Sequence, residues 1–256
     1  MDHAIQQPRA VAEPSVRRID AARPLVWLRR GWDDLAHAGW ASLAHGGFVS
    51  VLGICLLLLA WKAPYMVPAY LGGFLLVAPF AAIGLYALSR QLDQDQAVDG
   101  HAALHAWSDN AGSVALFGLM LAVALIFWER TTAVLFALLY TGNAADVGSV
   151  LAGLLLDPRN LLLALAFFGA GAVLAAVVFA LGVVTVPMML DRPVDVITAA
   201  LTSLRCCARN PVPMLVWAAL IAGITALGFA SGMLGLIVAF PLLGHASWHA
   251  YRDLVE

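Results

Sequence analysis

The sequence predicts an all-α integral membrane protein with six transmembrane helices, arranged as three two-helix repeats with interfacial linker helices. Two observations predict this class. First, 62% of the 256 residues are hydrophobic and 12% are charged, whereas a soluble domain carries about 25% charged residues. Second, apolar runs long enough to cross a bilayer, about 20 residues each, recur along the chain. A chain this apolar lacks the polar residues to cover its surface in water, so it is expected in a membrane.

The chain divides into a short tail, residues 1–15, and a membrane domain, residues 16–256. The tail has no periodic pattern and is expected to be disordered. In the membrane domain, the charged residues between apolar runs limit the spans. The last apolar run is too long for one crossing, so a break at Gly228 and Gly232 is expected to divide it. The six predicted spans are residues 43–61, 66–88, 113–139, 161–190, 214–227 and 232–249.

An amphipathic segment precedes each pair of spans and predicts a helix lying in the membrane interface. In the first such segment, helical spacing places Leu25, Leu28, Trp32 and Leu35 on one face. Tryptophan is expected there at headgroup depth, with arginine facing outward. The three predicted interfacial helices are residues 24–37, 100–108 and 194–208.

Each even-numbered span contains a proline in an apolar run that ends in charged residues. The next arginine follows eleven residues later in two cases, from Pro79 to Arg90 and from Pro241 to Arg252. Pro187 lies in a similar run before Arg192. Proline kinks a membrane helix and is tolerated because neighbouring groups satisfy the freed carbonyl. The shared order of interfacial helix, odd span and proline-containing even span predicts three repeats.

Basic residues are distributed unevenly between the two sides of this layout. Of the 14 lysines and arginines, eleven fall on the side of the termini and three, Lys62, Arg130 and Arg159, on the other. Basic residues accumulate on the cytoplasmic side, so both termini are expected in the cytoplasm and the protein in the bacterial inner membrane. They form no binding stripe, so no nucleic-acid partner is expected. The expected partners are the lipid bilayer and other membrane-protein subunits.

Four histidines form two pairs with helical i, i+4 spacing on the predicted cytoplasmic side. His101 and His105 share one helix face, as do His245 and His249. Imidazole is a common ligand for haem iron, copper or zinc, so these pairs are the candidates for a metal or haem site. A pair without a third ligand is equally typical of histidine at a membrane interface. We therefore predict interfacial histidines that bind no metal or other cofactor.

Two further charged or reactive pairs have structural explanations. Cys206 and Cys207 lie on a predicted interfacial helix. Adjacent cysteines there could bind a soft metal or be acylated, but two small residues that pack on the helix are the favoured interpretation. Glu129 and Arg130 end the third apolar run at the depth of the opposite interface, which favours anchoring. No Gly-rich phosphate loop, nucleophile elbow, pair of catalytic carboxylates or zinc motif occurs. The sequence therefore predicts no enzyme, no catalytic residue and no cofactor-binding residue.

Three stretches resemble an uncharacterised bacterial family of six-span integral membrane proteins. They are Trp-Leu-Arg-Arg-Gly-Trp at residues 27–32, the Leu-Asp-Arg junction at 190–192 with Asp195, and residues 241–253. The resemblance covers residues 16–255 and implies a six-helix inner-membrane protein without an established activity or site. Members are sometimes labelled automatically as cytochrome c oxidase subunit I. That label requires more spans and buried histidine ligands, whereas this sequence places no histidine deep inside a span.

Three functions remain open from the sequence. The favoured one is an accessory or structural subunit that packs against a larger membrane complex, with a respiratory complex as one option. It rests on the lack of an ionisable pathway and of a catalytic constellation in the spans. The second is a small transporter or channel built from the three repeats. The third is a metal- or haem-binding membrane protein that uses the histidines.

Overall fold

A computed structural model describes residues 14–63, 66–142 and 147–256. These residues are predominantly helical, and the one extended pairing within them is an isolated bridge between Val16 and Val255. The predicted all-α membrane class is confirmed. The helices are α1 (Arg23–Ala38), α2 (Trp40–Lys62), α3 (Val67–Ala81), α4 (Ile83–Asp93), α5 (Gly100–His105), α6 (Ala111–Leu139), α7 (Val147–Leu156), α8 (Leu161–Gly182), α9 (Thr185–Asp191), α10 (Val196–Arg209), α11 (Pro211–Ala230) and α12 (Leu236–Leu254).

Five helical segments of the described chain are long and apolar enough to cross a membrane. Predicted spans one, three, four and five fall within them, and the second span, residues 66–88, overlaps the second segment from Tyr70 onward. The sixth, residues 232–249, corresponds to α12, which carries two histidines and a charged last turn, and it is not among the five. The count of six therefore stays a prediction. The five segments are Trp40–Lys62, Tyr70–Asp93, Gly100–Leu139, Pro158–Asp191 and Pro211–Ala230.

Two of the even-numbered spans are interrupted near their prolines. The second span breaks at Ala82, shortly after Pro79, and the fourth breaks between α8 and α9, before Pro187. The third proline, Pro241, lies inside α12, which continues through it. Prolines thus accompany a helix interruption in two spans out of the three predicted.

A serine from α10 fills the break between α8 and α9. The Ser203 hydroxyl donates to the carbonyl of Ala180 (2.7 Å) and lies 3.5 Å from the backbone nitrogen of Val184. These are the two backbone groups that a continuous helix would join, since the N–H of residue i bonds the carbonyl of residue i−4. Satisfying freed backbone groups in this way is what allows a broken helix at membrane depth.

The two ends of α2 carry exposed tryptophans. Trp40 and Trp61 are 81% and 78% exposed, and the 21 steps from one to the other rise about 32 Å at 1.5 Å per residue. That distance matches the hydrocarbon thickness of about 30 Å, and tryptophan is enriched at both membrane interfaces. These side chains therefore place the limits of the apolar layer along α2.

α12 packs closely against three other helices at glycines. A Cβ atom on Gly31 of α1 would lie 2.7 Å from the backbone nitrogen of Ala246, and one on Gly46 of α2 would contact the backbone of Ile237. On α12 itself, a Cβ on Gly244 would lie 2.5 Å from Leu85 of α4. Small residues at such positions let helix backbones approach. We call the region where α1, the start of α2, α4, α9, α10 and residues 244–254 of α12 meet the polar end.

The first predicted interfacial helix exists as α1. Its buried residues are Pro24, Trp27, Gly31, Leu35 and Ala38, which pack on α12 and α11. Trp27 is fully buried with its ring edge-on to Trp217 (5.6 Å between centroids), whereas Leu25 and Trp32 are largely exposed. Of the four residues on the predicted apolar face, Leu35 is buried against other helices, and the contact of this face with the membrane interface stays a prediction.

The first described residues of the chain and its last residues meet at the polar end. The backbone N–H of Glu256 donates to the carbonyl of Ser15 (3.0 Å), and that of Arg17 donates to Leu254 (2.9 Å). Ser15 is therefore hydrogen-bonded to the last residue of the chain, and the division into tail and membrane domain stays a prediction. Residues 1–13 of that tail lie outside the described residues.

In contrast to the polar end, few residues of α6 and α8 are buried. Only 17% of the apolar window in the α6 segment and 6% of that in the α8 segment is buried. We call α6, α7 and α8 the middle hairpin. Glu129 and Arg130 lie within the continuous α6 and form an ion pair with each other (3.0 Å).

Candidate functional site

Four helices contribute polar side chains to a buried cluster at the polar end. Asp34 comes from α1, Ser42 from α2, Ser89 from α4, and His245 with His249 from α12. The two histidines share a face of α12 because they are four residues apart. Ser42, Ser89 and His245 are fully buried, and His249 is 6% exposed. We call these five residues the histidine cluster.

His245 bridges two serines from different helices. Its Nε2 lies 2.7 Å from the hydroxyl of Ser42, and its Nδ1 lies 2.7 Å from the hydroxyl of Ser89. The Ser89 hydroxyl donates to Oδ2 of Asp34 (2.6 Å), because an ionised carboxylate only accepts. Ser89 must then accept from His245 Nδ1–H, so the neutral ring accepts at Nε2 from Ser42. The partners thus assign the tautomer of His245.

Asp34 connects this chain to the second histidine. Its Oδ2 accepts from His249 Nε2 (2.9 Å) as well as from Ser89, and it lies 4.0 Å from His245 Nδ1. The result is a directed chain of hydrogen bonds from Ser42 through His245 and Ser89 to Asp34. Buried polar groups need such partners, because an unpaired buried group costs about 1–3 kcal/mol. The cluster therefore ties α1, α2, α4 and α12 together.

A third histidine lies beside the cluster. The Nδ1–H of His45 donates to the carbonyl of Ala41 (2.8 Å), while its Nε2 is buried without a hydrogen-bond partner among the described residues. Nε2 packs against Gly84, where a Cβ atom would lie only 2.2 Å away. Because Gly84 has no side chain, the ring of His45 can pack directly against α4.

Three arginines link the ends of the three even-numbered spans in a closed ring. Arg90 from the second span donates to the carbonyl of Leu190 in the fourth (2.6 Å). Arg192 from the fourth donates to the carbonyl of Glu256 after the last helix (2.7 Å). Arg252 from α12 returns to Asp93 after the second span (3.7 Å). Each unit reaches the next and the third reaches the first, which supports the prediction of three repeats.

Two asparagines repeat this cyclic pattern at the starts of α6 and α11. The Asn110 amide donates to the carbonyl of Met189 in α9 and to that of Val194 at the start of the next linker. The Asn210 amide donates to the carbonyl of Arg17, before α1. Equivalent asparagines thus fix the linker of the following unit, so these contacts also support the repeat.

Charged and aromatic side chains of the last turns of α12 pair with the surrounding helices. Asp253 accepts from Arg23 Nε (2.6 Å) and from the indole N–H of Trp27 (2.7 Å). Burial acts to raise the pKa of Asp253, but these hydrogen bonds and the charges of Arg23 and Arg30 outweigh it and hold that pKa below its usual value. The Asp253 carboxylate is therefore ionised at neutral pH and anchors α1.

The structure places the predicted histidine candidates in two different environments. His245 and His249 are buried and bond to Ser42, Ser89 and Asp34, which corrects the expected hydrogen bonds to water or headgroups. Their position at the depth of the interface stays a prediction. The sequence missed that Asp34, Ser42 and Ser89 surround them. His101 and His105 are exposed on α5, with ring centroids 5.0 Å apart, outside the buried cluster. Within the described ranges, no three His, Cys, Asp or Glu side chains are grouped to hold a metal ion.

The adjacent cysteines belong to the packing of α10. Cys206 is fully buried and Cys207 is partly buried. Burial, with a contribution from Cys207, raises the pKa of the Cys206 thiol to about 12, and burial raises that of Cys207 to about 11. Thiolates bind metals and react, so these neutral thiols are unreactive near pH 7.

The cluster contains a serine–histidine pair with a nearby carboxylate, as in nucleophilic enzymes. In such enzymes a histidine activates the serine, and a carboxylate orients the histidine. Here Ser42 is fully buried between α2 and α12, so no substrate reaches its hydroxyl. The arrangement can hold helices together and can pass a proton along its hydrogen bonds.

The middle of the chain matches a known family. Residues 66–191 match the model of a predicted integral membrane protein family, DUF2189. This confirms the resemblance to an uncharacterised membrane family over slightly less than half of the chain. The DUF2189 segment runs from the start of the second span to the end of α9, so it contains Ser89 but not the other four cluster residues. The chain matches no curated protein and no solved structure.

Proposed function

We propose that this protein is a non-enzymatic membrane component that packs against another membrane protein as an accessory or structural subunit. The observation that carries the proposal is the outward face of α8. That face is exposed and presents small residues at helical spacing, Gly169, Ala172 and Ala176. A Cβ atom on Gly169 would meet no atom within 4 Å. In a bilayer, small residues favour close packing by another helix.

The polar end supports a non-enzymatic role. Its histidine, serine and aspartate side chains bond to one another, and the central ones are fully buried. A catalytic site keeps reactive groups within hydrogen-bond reach of a substrate. The buried cluster instead connects α1, α2, α4 and α12 to one another.

Co-purification tests the subunit proposal. The tagged chain is extracted from its native membrane in mild detergent, and co-purifying proteins are quantified by mass spectrometry. We expect a stoichiometric membrane partner that is lost from a Gly169→Leu/Ala176→Leu variant. Gly223→Leu is the matched control, because Gly223 is also outward-facing and open, but on α11. Equal recovery from all three proteins, or no stoichiometric partner, contradicts the proposal. The partner's identity tests the respiratory option.

The directed hydrogen-bond chain favours a second candidate, the small three-repeat transporter, with the histidine cluster handling protons. Hydrogen-bonded histidine and carboxylate chains serve as proton relays in membrane transporters. Proton flux into proteoliposomes, measured with an internal pH dye, tests this candidate. A flux that is abolished in His245→Gln supports transport over a purely structural role, and no flux above empty vesicles excludes it.

The metal- or haem-binding alternative has a direct test. Elemental analysis and an absorption spectrum are recorded for the purified wild type beside His245→Ala. The subunit proposal expects no stoichiometric metal and no haem band in either protein. Metal that is present in the wild type and lost in the variant makes the alternative the better account.

We also propose that the polar end and both termini face the cytoplasm of a bacterium. The support is the bias of eleven basic residues to three, together with the arginine ring at the polar end. A membrane-impermeant thiol reagent applied from outside is expected to label a cysteine at position 63 and not one at position 253. The reverse pattern contradicts this orientation.

A further inference from the structure

The structure contains an open apolar groove of about 800 Å³ between α2, the junction of α3 and α4, and α5. Aromatic side chains line it along its length, namely Trp40, Phe48, Phe80 and Trp107. The lining also includes Ala44 and the ring of His45. We propose that this groove binds one phospholipid of the bilayer, with an acyl chain lying along α2.

The groove lies beside a linker helix that is divided in two. α1 and α10 are continuous α-helices of 16 and 14 residues, whereas α5 has six residues and is followed by a 3-10 helix, Ala106–Asn110, which carries Trp107. The groove lies against this divided linker, between the first and second units. The groove is therefore a feature of this unit's sequence and lies at a defined place in the repeat.

The position of the groove in the membrane matches an acyl chain below its headgroup. Trp40 marks the interface end of α2, and Phe48 lies eight residues further, about 12 Å deeper. The groove therefore starts at headgroup level and enters the apolar layer. Its mouth is continuous with the exposed apolar surface of α2, which faces lipid. Trp40 and Trp107 at the mouth have the amphipathic rings that favour this depth.

The lining favours an apolar chain over a polar ligand. His45 is the one ionisable residue among the lining residues, and its Nε2 is turned against Gly84 and covered. The groove therefore presents aromatic and aliphatic surface to its occupant, and the volume lies in the range of ordinary ligand sites, about 300–1,000 Å³. A phospholipid gains by burying its chain there while its headgroup stays in the interface.

Filling the groove tests the proposal. The full-length chain is purified in mild detergent, stripped of lipid, and titrated with palmitoyl-oleoyl phosphatidylglycerol under native mass spectrometry. Ala44→Trp fills the groove from an exposed position on α2. Val51→Trp is the matched control, because it lies seven residues along the same exposed face but does not line the groove. We expect one tightly bound lipid on the wild type and on Val51→Trp.

Ala44→Trp is expected to bind that lipid at least about tenfold more weakly, which is about 1.4 kcal/mol. Trp107→Ala removes one wall and is expected to weaken retention as well, which guards against a folding defect in the first variant. Equal lipid binding by Ala44→Trp and Val51→Trp overturns the proposal. A dimer that is present in the wild type and absent in Ala44→Trp overturns it too, since the occupant would then be a second copy of the chain.

Discussion

The polar end and the middle hairpin are both built from apolar helices, but they differ in how far these helices pack against the rest of the chain. At the polar end, α12 is surrounded by other helices, and its histidine, tyrosine and charged side chains pair across helix boundaries. In the middle hairpin, only 6% of the apolar window of the α8 segment is buried. The bilayer removes the hydrophobic drive for packing apolar helices together. The chain is therefore held together by close glycine contacts and buried polar pairs, which are concentrated at one end.

The largest loss of stability that this comparison predicts comes from a substitution at Gly46 of α2, with the adjacent Gly47 as its control. Gly46→Ala places a Cβ atom 2.1 Å from the carbonyl oxygen of Ile237, and backbone atoms cannot rotate away. We expect a loss of about 3 kcal/mol or more, or no folded protein. Gly47→Ala is the matched control, since its Cβ meets no atom within 4 Å. Thermal unfolding in detergent measures the stability of both variants. Equal melting temperatures would contradict the close approach of α12 to α2.

A smaller effect is expected from the centre of the histidine cluster. His245→Ala leaves Ser42 and Ser89 without their shared partner and opens a cavity, which should cost about 2–4 kcal/mol of unfolding free energy. His101→Ala removes an exposed ring of the other pair and should change stability by less than about 0.5 kcal/mol. Denaturation of both variants in the same detergent measures their unfolding free energies. Similar losses for the two would mean that His245 is not in a buried network.

The stability that Asp253 contributes by linking α1 to α12 should be lost at acid pH. The pKa of Asp253 lies below its usual value in the folded state, so its contribution is complete above the unfolded value of about 4. That contribution is lost as the pH falls through the lower folded value. Asp253→Asn should lose about 1 kcal/mol at neutral pH and show a flatter stability profile below pH 4. An unchanged acid profile would contradict the role of this carboxylate.

The smallest effect is expected on the outward face of the middle hairpin. Val173 on α8 is 66% exposed, so Val173→Ala removes little protein contact. Its melting temperature in detergent should stay within the range of about 0.5 kcal/mol typical of surface changes. A large loss would show that this face packs against the chain itself, which the exposed surface of α8 does not allow.

The sequence predicts the helices well because their causes are local. Apolar runs, prolines and charged ends are visible in any window of about 20 residues, and the predicted limits of the odd spans are close to those of α2, α6 and α11. The face of α1 that packs against the other helices was not predicted, for the opposite reason. Trp27 and Trp32 both suit an amphipathic helix, and only the partner Trp217 on α11 decides which one is buried.

The histidine cluster could not be predicted from local patterns. Ser42 and His245 are 203 residues apart in sequence, and serine, histidine and aspartate are each ordinary near a membrane interface. The signal that could have found them is the repeat itself, since three units arranged in a ring bring the ends of their even spans together. The arginines at the three span ends were visible in the sequence, but their connections in the ring were not.

The most direct test of the account is a double-mutant cycle between His245 and Ser89. The central claim is that hydrogen bonds across helices at the polar end hold α4 and α12 together. Unfolding free energies of wild type, His245→Ala, Ser89→Ala and the double variant give the coupling energy. We expect a coupling of about 1 kcal/mol or more. Losses that add to within about 0.3–0.5 kcal/mol, the behaviour of independent sites, would contradict the claim.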